Sequence, residues 1–488
     1  MAIRINPLLL TDGYKSGHHR QYPKGTEFVY SNFTPRSFKH SPVKGADHVV
    51  SFGQQMVMMQ IHDAFKYDFF AQPKDEVCGE MKRELSLYLG TEYDVAHFEA
   101  LHDLGYLPIK VKAIKEGKLV PGRVPVLTII NTHKDFGWIT NYLETIISNL
   151  LWKPITSATI AREYRKIFDK AQQATDKDAA WFVDWQGHDF SMRGMDSIDA
   201  VIASGLGHLT SFFGTDSLPT IAGARYYYGE TGFVAGSVDA TEHSVMCAGA
   251  DFQMVDGIMQ TDELASIRRM LEERPSGIFS MVSDTFDLWR MCTEYLPLLK
   301  ELIMARDGKL VIRPDSGDPV DILCGTYKKK YYEPIDDCGD TLEIAADNYA
   351  DDINFSDYRD TETHELSFEG KNYIVVYTTG GCIEATWDHR IFETVVGSIT
   401  EVVEDESHTP AEIGVVELLW DTFGGTINEQ GFKVLDSHIG AIYGDSITPQ
   451  RAIDIFTRLA AKGFASTNVV LGIGSYTYQY NTRDSFGF

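Results

Sequence analysis

The sequence predicts an α/β protein: an irregular β/α barrel that follows a mixed α+β domain and carries an acidic insert. From about Trp181 onward, short apolar runs end in polar or glycine-rich corners, and a helical stretch usually follows each corner. The first 150 residues lack this rhythm, and residues 321–412 interrupt it. We therefore expect an N-terminal domain over residues 1–150 and a barrel over residues 151–488 that contains the insert.

The composition indicates a large folded protein. Hydrophobic residues make up 43% of the 488 residues and aromatic residues 12%, which is enough for a sizeable core. The formal net charge of −26 disfavours binding to nucleic acid, which is itself an anion. Because no apolar run approaches about 18 residues and no apolar leader is apparent, we expect neither a membrane span nor a signal peptide. The six cysteines form no C-x-x-C pair, which is typical of reduced thiols in a cytoplasmic protein.

Within the N-terminal domain, the clearest pattern is the alternation of apolar and polar residues from Pro108 to Thr132. Glycine and proline interrupt this alternation, which predicts strands separated by turns. Residues Trp138 to Trp152 are aromatic and aliphatic at helical spacing, which predicts a packing helix.

The predicted barrel strands are the apolar runs that precede the polar corners. Thr448 and Pro449 mark the start of a helix, with a hydroxyl at the N-cap and proline at the first helical position. Repeated units of this kind imply parallel strands with crossover helices, and the carboxyl ends of such strands converge on one mouth. The runs are Trp181–Val183, Leu209–Phe213, Phe279–Val282, Leu310–Ile312, Ala441–Tyr443 and Val469–Leu471.

The insert is distinguished by its charge. Residues 321–412 contain 22 Asp and Glu against 6 Lys and Arg, so they carry −16 of the total −26. The run from Tyr373 to Tyr377 has the β-branched and aromatic character of a strand, which predicts a small folded unit. Its simplest interpretation is a solvated decoration remote from the chemistry.

Taken together, the polar corners indicate a site for a sugar phosphate and an aromatic ring. Arginine binds phosphate through its planar fork, and carboxylates at strand ends can bind ribose hydroxyls or, through water, Mg²⁺. An aromatic side chain can stack on a heteroaromatic base. Each residue alone has a structural alternative, since a lone Asp at a strand end commonly caps a helix. The candidates are Asp189, Phe190, Arg193, Asp216, His243, Asp284, Arg313, Asp315, Asp445 and Arg483.

The strings around these residues occur in the order seen in a known family. The sequence resembles the nicotinamide phosphoribosyltransferases over most of its length, and so many ordered matches are not expected by chance. The matching strings are Thr11-Asp12-Gly13-Tyr14-Lys15, Gln21-Tyr22-Pro23, His188-Asp189-Phe190 with Arg193-Gly194, Gly214-Thr215-Asp216, Gly236-Ser237-Val238, Glu242-His243-Ser244, Val282-Ser283-Asp284, Ile312-Arg313-Pro314-Asp315-Ser316-Gly317, Gly444-Asp445, and Gln479 with Thr482-Arg483-Asp484.

The resemblance implies the irregular β/α barrel of the type II phosphoribosyltransferases and a homodimer with its sites at the subunit interface. Tyr14 of one subunit and Phe190 of the other would sandwich a pyridine ring. His243 matches the histidine that ATP phosphorylates in this family, and Asp284 and Asp315 complete the expected catalytic group. The other implied substrate-binding residues are Asp12, Arg193, Asp216, Ser237, Arg313, Gly444, Asp445 and Gly474, together with Arg36 and Arg483 contributed by the second subunit.

The reaction that the resemblance implies joins nicotinamide to phosphoribosyl pyrophosphate, with Mg²⁺ for the leaving pyrophosphate and ATP as a stimulating co-substrate. We expect Asp216 to select the amide over the acid, because it accepts a hydrogen bond from a carboxamide and repels a carboxylate. The alternative is a helix cap. For His243 we expect Asp284 or Glu242 to hold the second ring nitrogen, the alternative being a buried structural histidine. A nicotinate phosphoribosyltransferase and a non-catalytic ligand-binding protein remain alternative functions.

Three features depart from the family pattern. The acidic insert replaces a short connection, and Ser475 stands where a glycine is usual. The sequence ends at Phe488, before the segment in which familiar members carry phosphate-binding lysines. Two explanations stay open: the sequence is a fragment, or the protein lacks part of the phosphate site.

Overall fold

The chain divides into two compact units, the first comprising Met1–Cys324 and Val415–Phe488 and the second Gly325–Gly414. The acidic insert is predicted over residues 321–412, which overlap the second unit. The computed structural model describes residues 5–255, 258–326, 330–331, 335, 339–350, 353, 355, 361–385, 390–403, 408–444 and 446–488.

The N-terminal part of the first unit mixes helices with short strands. The helices are α1 (His18–Gln21), α2 (Gln54–Phe65), α3 (Lys74–Leu89), α4 (Ala96–Leu104), α5 (Ile139–Tyr142) and α6 (Glu144–Thr175). The strands are β1 (Tyr30–Phe33), β2 (His48–Val50), β3 (Ile109–Ala113), β4 (Leu119–Pro121) and β5 (Leu127–Asn131).

In this region β1, β5 and β3 form an antiparallel sheet in that order, and β2 pairs with β4. The strands predicted between Pro108 and Thr132 are confirmed, since β3, β4 and β5 all lie there. The predicted packing helix corresponds to α5 and the start of α6, and α6 continues across the predicted boundary at residues 150 and 151. Neither α6 nor any other helix in the described ranges is long and apolar enough to cross a membrane.

The core of this region includes aromatic residues from the C-terminal segment. Phe486 and Phe488 are 0% and 5% exposed, and their rings pack against Phe38 and Phe33 with centroid separations of 5.5 and 4.9 Å. Burial of a side chain of this size stabilises the fold by about 1.5–3 kcal/mol. The C-terminal segment therefore contributes to the stability of the N-terminal region.

The barrel region follows, with short strands and crossover helices. Up to the insert, its strands are β6 (Gly187–Asp189), β7 (Gly214–Thr215), β8 (Asp239–Ala240), β9 (Asp251–Val255), β10 (Ile258–Asp262), β11 (Phe279–Val282) and β12 (Leu310–Arg313). Its helices there are α7 (Val183–Gln186), α8 (Ile198–His208), α9 (Leu218–Tyr228), α10 (His243–Gly249), α11 (Leu264–Glu272), α12 (Leu288–Arg290), α13 (Leu296–Met304) and α14 (Pro319–Cys324).

The second unit and the rest of the barrel complete the chain. The second unit contains β13 (Lys330–Tyr331), α15 (Asp340–Ala350), β14 (Thr361–Phe368), β15 (Lys371–Ala385), β16 (Arg390–Val403) and α16 (Pro410–Ile413). The barrel resumes with α17 (Val415–Phe423), β17 (Gly425–Ile427), β18 (Lys433–Leu435), β19 (Ile439–Tyr443), α18 (Pro449–Ala461), β20 (Val469–Ile473) and α19 (Ser475–Gln479).

In the described part of the chain, seven parallel strands pair in the order β7, β6, β20, β19, β12, β11, β8. The amide of Thr215 in β7 donates to the carbonyl of Gly236 at 3.1 Å, and the amide of Gly236 donates to the carbonyl of Phe213 at 3.0 Å. Since Gly236 lies just before β8, these bonds join the two edges of the sheet. The α/β barrel predicted from the strand–corner–helix rhythm is therefore present.

Four of the predicted strands are confirmed, namely those at β11, β12, β19 and β20. Two predictions are wrong in position. Trp181–Val183 lies in helical turns, and Leu209–Phe213 follows the end of α8, while the strands are the adjacent Gly187–Asp189 and Gly214–Thr215. The predicted helix start is confirmed, because Thr448 Oγ accepts a hydrogen bond from the amide of Arg451.

The second unit has a core of its own. The strands pair antiparallel in the order β13, β16, β15, β14, and the strand predicted at Tyr373–Tyr377 is confirmed as part of β15. Helix α15 buries Leu342 and Ala346 against this sheet, and the hydroxyl of Tyr377 donates to the carbonyl of Ala346 at 3.0 Å. The unit begins and ends at one place, since a Cβ added to Gly325 would lie 2.4 Å from the carbonyl oxygen of Ile413.

Because the ends of the second unit touch, we predict that it can be removed without unfolding the first. Deletion of residues 326–412 should leave a monodisperse protein whose unfolding midpoint moves by less than about 2 °C, equivalent to roughly 1–2 kcal/mol for a unit of this size. Calorimetry and near-ultraviolet circular dichroism provide the measurement. A matched deletion that extends through Phe423 removes the buried face of α17 and should aggregate. Loss of the near-ultraviolet signal in the first deletion would contradict the prediction.

Candidate active site

A cavity of about 460 Å³ runs through the inside of the barrel. It brings together four of the residues singled out in the sequence: Phe190, Asp216 and Arg313, at the carboxyl ends of β6, β7 and β12, and Ser237, which precedes β8. Towards the amino ends it is lined mainly by apolar side chains, among them Trp181, Phe182, Ile278, Val434, Leu435 and Ile439. A mostly apolar cavity with a few converging polar groups is typical of a site for a small organic ligand.

The carboxylate of Asp216 is positioned by two side chains. His188 Nε2 lies 2.9 Å from Oδ1, and the hydroxyl of Ser237 donates to the same oxygen. Burial by itself would raise the pKa of Asp216, but the bonds from His188 and Ser237 and the charge of Arg313 outweigh it, so the pKa lies below its usual value. Asp216 is therefore ionised at neutral pH. Because both donors reach Oδ1, Oδ2 is available to a ligand.

Phe190 forms the neighbouring wall of the cavity. Its amide donates to the carbonyl of Ile473 in β20 at 3.0 Å, and its ring centroid lies 4.5 Å from that of His188. The preceding residue, Asp189, is fully buried and accepts bonds from the amide of Ser191 and the hydroxyl of Thr215 at 2.9 and 3.2 Å. Asp189 thus fixes the corner that carries Phe190 and does not face a ligand.

A second group of polar residues surrounds Asp315. Asp284 Oδ2 accepts a bond from the amide of Asp315 at 2.9 Å, and Arg313 Nε lies 3.7 Å from Asp315 Oδ1. Burial raises the pKa of Asp315. The charge of Arg313 opposes this shift, the carboxylate of Asp284 adds to it, and the charge of Arg193 opposes it. Within the described part of the chain, Oδ1 of Asp284 and Oδ1 of Asp315 are both buried without a hydrogen bond. These two oxygens have the hard character that Mg²⁺ prefers.

His243 lies at the start of α10, half exposed, beside this group. Its Nδ1 lies 3.1 Å from the hydroxyl of Thr285, and its Nε2 lies 3.8 Å from Asp315 Oδ2. Neither Asp284 nor Glu242, the expected partners of the ring, makes this contact; Glu242 accepts a bond from Ser244 instead. Asp284 Oδ2 instead accepts bonds from the amide of Asp315 and the hydroxyl of Ser316.

Gly444 stands at the carboxyl end of β19, against Asp315. A Cβ at this position would lie 1.8 Å from Asp315 Oδ1, so a larger residue would displace the carboxylate. Gly474 lies at the end of β20, which pairs with β6 and so adjoins the corner of Phe190. Asp445 lies outside the described residues.

Four predicted residues lie apart from this cavity within the chain. Tyr14 is 64% exposed, and its hydroxyl donates to Asp12 Oδ2 at 3.4 Å; Asp12 also accepts a bond from Thr145 at 2.6 Å. Arg36 donates to the carbonyls of residues 487 and 488 at 2.9 Å. Arg483 is half exposed and lies 3.8 Å from Asp484.

Sequence reasoning missed three residues of the site. His188 precedes the corner Asp189-Phe190, but its bond to Asp216 depends on strand pairing that the sequence does not reveal. Thr285 follows Asp284 directly and had no distinguishing signal. Lys309 did have one: it stands directly before β12, it alternates with Val311 and Arg313 of that strand, and all three line the cavity. Burial lowers the pKa of Lys309, although the charge of Asp436 opposes the shift.

Comparison with known proteins agrees with this geometry. Residues 185–377 and 378–488 match the nicotinate phosphoribosyltransferase (NAPRTase) family, and residues 6–71 match the N-terminal domain of nicotinamide phosphoribosyltransferase. Three similar proteins are all named nicotinamide phosphoribosyltransferase. That of Acinetobacter baylyi is 42% identical and is aligned over 100% of this chain and 82% of its own. Those of Mycoplasma pneumoniae and Xanthomonas campestris are 29% and 27% identical over 99% of this chain, covering 88% and 80% of theirs.

The two matches together cover the barrel, the second unit and the segment that contains Tyr14. The 42% identity extends over the whole chain, so it includes both units. The chain therefore belongs to the nicotinate phosphoribosyltransferase family, among the members that carry the nicotinamide phosphoribosyltransferase N-terminal domain.

Proposed function

We propose that this chain is a pentosyltransferase that joins nicotinamide to phosphoribosyl pyrophosphate, giving nicotinamide mononucleotide and pyrophosphate for NAD synthesis. The observation that carries the proposal is the ionised carboxylate of Asp216, held through Oδ1 and facing the cavity beside Phe190. A carboxamide NH₂ donates to a free carboxylate oxygen, whereas the carboxylate of nicotinate is repelled by it. Family membership supports the same reaction.

The ring nitrogen of nicotinamide is the nucleophile. It forms a bond to C1 of the ribose while the bond from C1 to the pyrophosphate oxygen breaks, and the electron pair leaves with pyrophosphate. No general base is needed, because the attacking nitrogen carries no proton. The protein's contribution is alignment and charge: Phe190 stacks on the ring, Asp216 orients the carboxamide, and the carboxylate of Asp315 stabilises positive charge that develops on the ribose.

The phosphate groups require positive charge, which Arg193 and Arg313 supply. Mg²⁺ would add charge to neutralise the leaving pyrophosphate, and Oδ1 of Asp284 and Oδ1 of Asp315 would hold it, directly or through water. The narrow space between Gly444 and Asp315 supports this assignment, because it keeps the carboxylate in one position.

A nicotinate phosphoribosyltransferase is the second candidate, because the family match over residues 185–488 carries that name. The two functions differ only in the group that Asp216 would face. We place the enzyme in the cytoplasm, which is supported by cysteines without a disulfide at Cys78, Cys247, Cys292 and Cys324.

We also propose a homodimer with the site shared between subunits. Tyr14 is 64% exposed although it is aromatic, and its hydroxyl donates to Asp12 Oδ2 at 3.4 Å. An exposed aromatic side chain is suited to stacking on a ligand in a second copy of the chain. In that dimer Tyr14 would cover the face of the pyridine ring opposite Phe190, and Arg36 and Arg483 would lie near the phosphates.

ATP is proposed as the phosphoryl donor to His243. With Nδ1–H donating to the hydroxyl of Thr285, Nε2 carries the lone pair and is the nucleophile. A bond forms between Nε2 and the γ-phosphorus, the bond from that phosphorus to the bridging oxygen breaks, and ADP leaves. The phosphohistidine would add about two negative charges beside Asp315, which would favour binding of Mg²⁺ there, and the cation would be shared with the leaving pyrophosphate.

The Asp216→Ser variant should lose preference for the amide. The ratio of kcat/KM for nicotinamide to that for nicotinate should fall by roughly 10- to 100-fold, because a hydrogen bond to a charged group contributes about 1.5–3 kcal/mol. Steady-state assays with each base provide the ratio, and Asp178→Ser, at an exposed position, is the matched control. An unchanged ratio would show that Asp216 does not select the base. Absence of turnover with either base by the wild type would favour a non-catalytic homologue.

Mixing two inactive variants should restore activity if the site is shared. Tyr14→Ala and Phe190→Ala subunits combined in equal amounts should recover about one quarter of wild-type activity, since half the dimers are mixed and each has one intact site. Native mass spectrometry establishes how many mixed dimers form. Mixed dimers without any activity would exclude a site built from both residues.

The His243→Ala variant should lose ATP hydrolysis and the stimulation by ATP while it keeps slow synthesis. Incubation of the wild type with γ-labelled ATP should give a label that acid removes and base does not. The exposed His40→Ala variant is the control and should be labelled like the wild type. Equal labelling of His243→Ala would assign the phosphate to another residue.

A further inference from the structure

A series of two buried hydrogen bonds connects α19 with β7. His208, at the end of α8, and Tyr478, in α19, are 0% and 1% exposed. His208 Nδ1 lies 2.7 Å from the hydroxyl of Tyr478, and His208 Nε2 lies 3.0 Å from the carbonyl oxygen of Gly214. The two bonds bring together residues that are 270 positions apart in the sequence.

The direction of both bonds is fixed by chemistry. A carbonyl oxygen can only accept, so His208 Nε2 carries the hydrogen that Gly214 receives. Burial lowers the pKa of His208, so the ring is neutral and Nδ1 holds a lone pair. Burial also raises the pKa of Tyr478 well above its usual value, so its hydroxyl keeps its hydrogen and donates it to Nδ1. This arrangement satisfies both ring nitrogens of His208 in one tautomer.

Each end of this series of hydrogen bonds reaches a different wall of the site. Gly214 and Thr215 form β7, and Asp216 follows directly, with its amide donating to the carbonyl of Asp189 at 3.0 Å. At the other end, α19 follows Gly474 directly, and the carbonyl of Tyr478 accepts a bond from the buried Lys153 Nζ at 3.4 Å. The backbone of β7 is therefore tied to the helix that starts directly after Gly474, at the end of β20.

We propose that Tyr478 is a positioning residue for recognition of the base: through His208 it fixes the backbone of β7 from which Asp216 projects into the cavity. The inference rests on the proposed function, in which Asp216 accepts the carboxamide. Tyr478 itself does not line the cavity. Its hydroxyl acts on selectivity through Asp216, while α19 stays in place through Lys153 and through the hydroxyl of Tyr164, which donates to Ile447 and contacts Thr477.

The test compares variants that remove or keep the two bonds. Tyr478→Phe removes one oxygen atom and should lower the ratio of kcat/KM for nicotinamide to that for nicotinate by about tenfold, because a small displacement of Asp216 weakens its bond to the amide. The loss should appear in KM for nicotinamide, with kcat within about twofold of wild type. His208→Leu should have the same effect. His208→Gln should restore the ratio, since its amide donates to Gly214 and its oxygen accepts from Tyr478.

Tyr164→Phe is the matched control, because it also removes a fully buried hydroxyl that contacts α19 but has no bond to β7. It should destabilise the protein as much as Tyr478→Phe and leave the ratio unchanged. In the Asp216→Ser background, Tyr478→Phe should have no further effect on the ratio, since the two residues act in series.

The outcomes separate this inference from the proposed function. A wild type that prefers nicotinamide, together with a Tyr478→Phe variant that keeps the preference, overturns the inference alone. Additive effects of Asp216→Ser and Tyr478→Phe overturn it as well. If the wild type shows no turnover, the proposed function fails, and calorimetric Kd values for nicotinamide and nicotinate on the same variants give the ratio in place of kcat/KM. An equal drop in the ratio for Tyr164→Phe would also overturn the inference, because it would show that Tyr478 acts only by stabilising the fold.

Discussion

The two hydrogen bonds between β7 and the segment just before β8 are the constraint on which the rest of the first unit depends. They convert an open sheet, whose edges would be β7 and β8, into a barrel with one interior. Only in a closed ring can Asp216, which follows one edge, receive a bond from Ser237, which precedes the other. The part of the cavity wall formed by Asp216 and Ser237 is therefore assembled by closure and does not exist in either edge alone.

The interior that results has two differently charged regions. In the first region there is one carboxylate, that of Asp216. Its two hydrogen-bond donors reach the same oxygen, which leaves the other oxygen for a neutral amide. Around Asp315 there are two carboxylates and two arginines, which suits an anionic substrate together with a divalent cation. His243 lies at the edge of the second region, with Nε2 3.8 Å from Asp315 Oδ2. Arg313 links the two regions, because it lines the cavity together with Asp216 and its charge also lowers the pKa of Asp216.

The sequence predicted strands where apolar residues form a continuous run. It did not predict contacts between residues that are distant in the sequence. Strands β11 and β12 are apolar runs between polar corners, and such runs are typical of strands buried on both faces. Strands β6 and β7 are two or three residues long and contain His188, Asp189 and Thr215, so no run marks them. In the same way Asp216 and Arg313 could be predicted from the corners they occupy. The bond from His188 to Asp216 and the contact of Thr285 with His243 could not, because both depend on the pairing of distant segments.

The position of the second unit has a consequence for the order in which the chain folds. Strands β12 and β19 are hydrogen-bonded neighbours in the barrel, yet the whole unit separates them in the sequence. If the unit folds as soon as it is synthesised, Gly325 meets Ile413 and the loop that β12 and β19 must close becomes several times shorter, which lowers the entropic cost of closure by about 1 kcal/mol. Domains commonly fold in this vectorial way during synthesis. The acidic unit then acts as an early local nucleus that shortens the gap between the neighbouring strands β12 and β19 before β19 and β20 have left the ribosome.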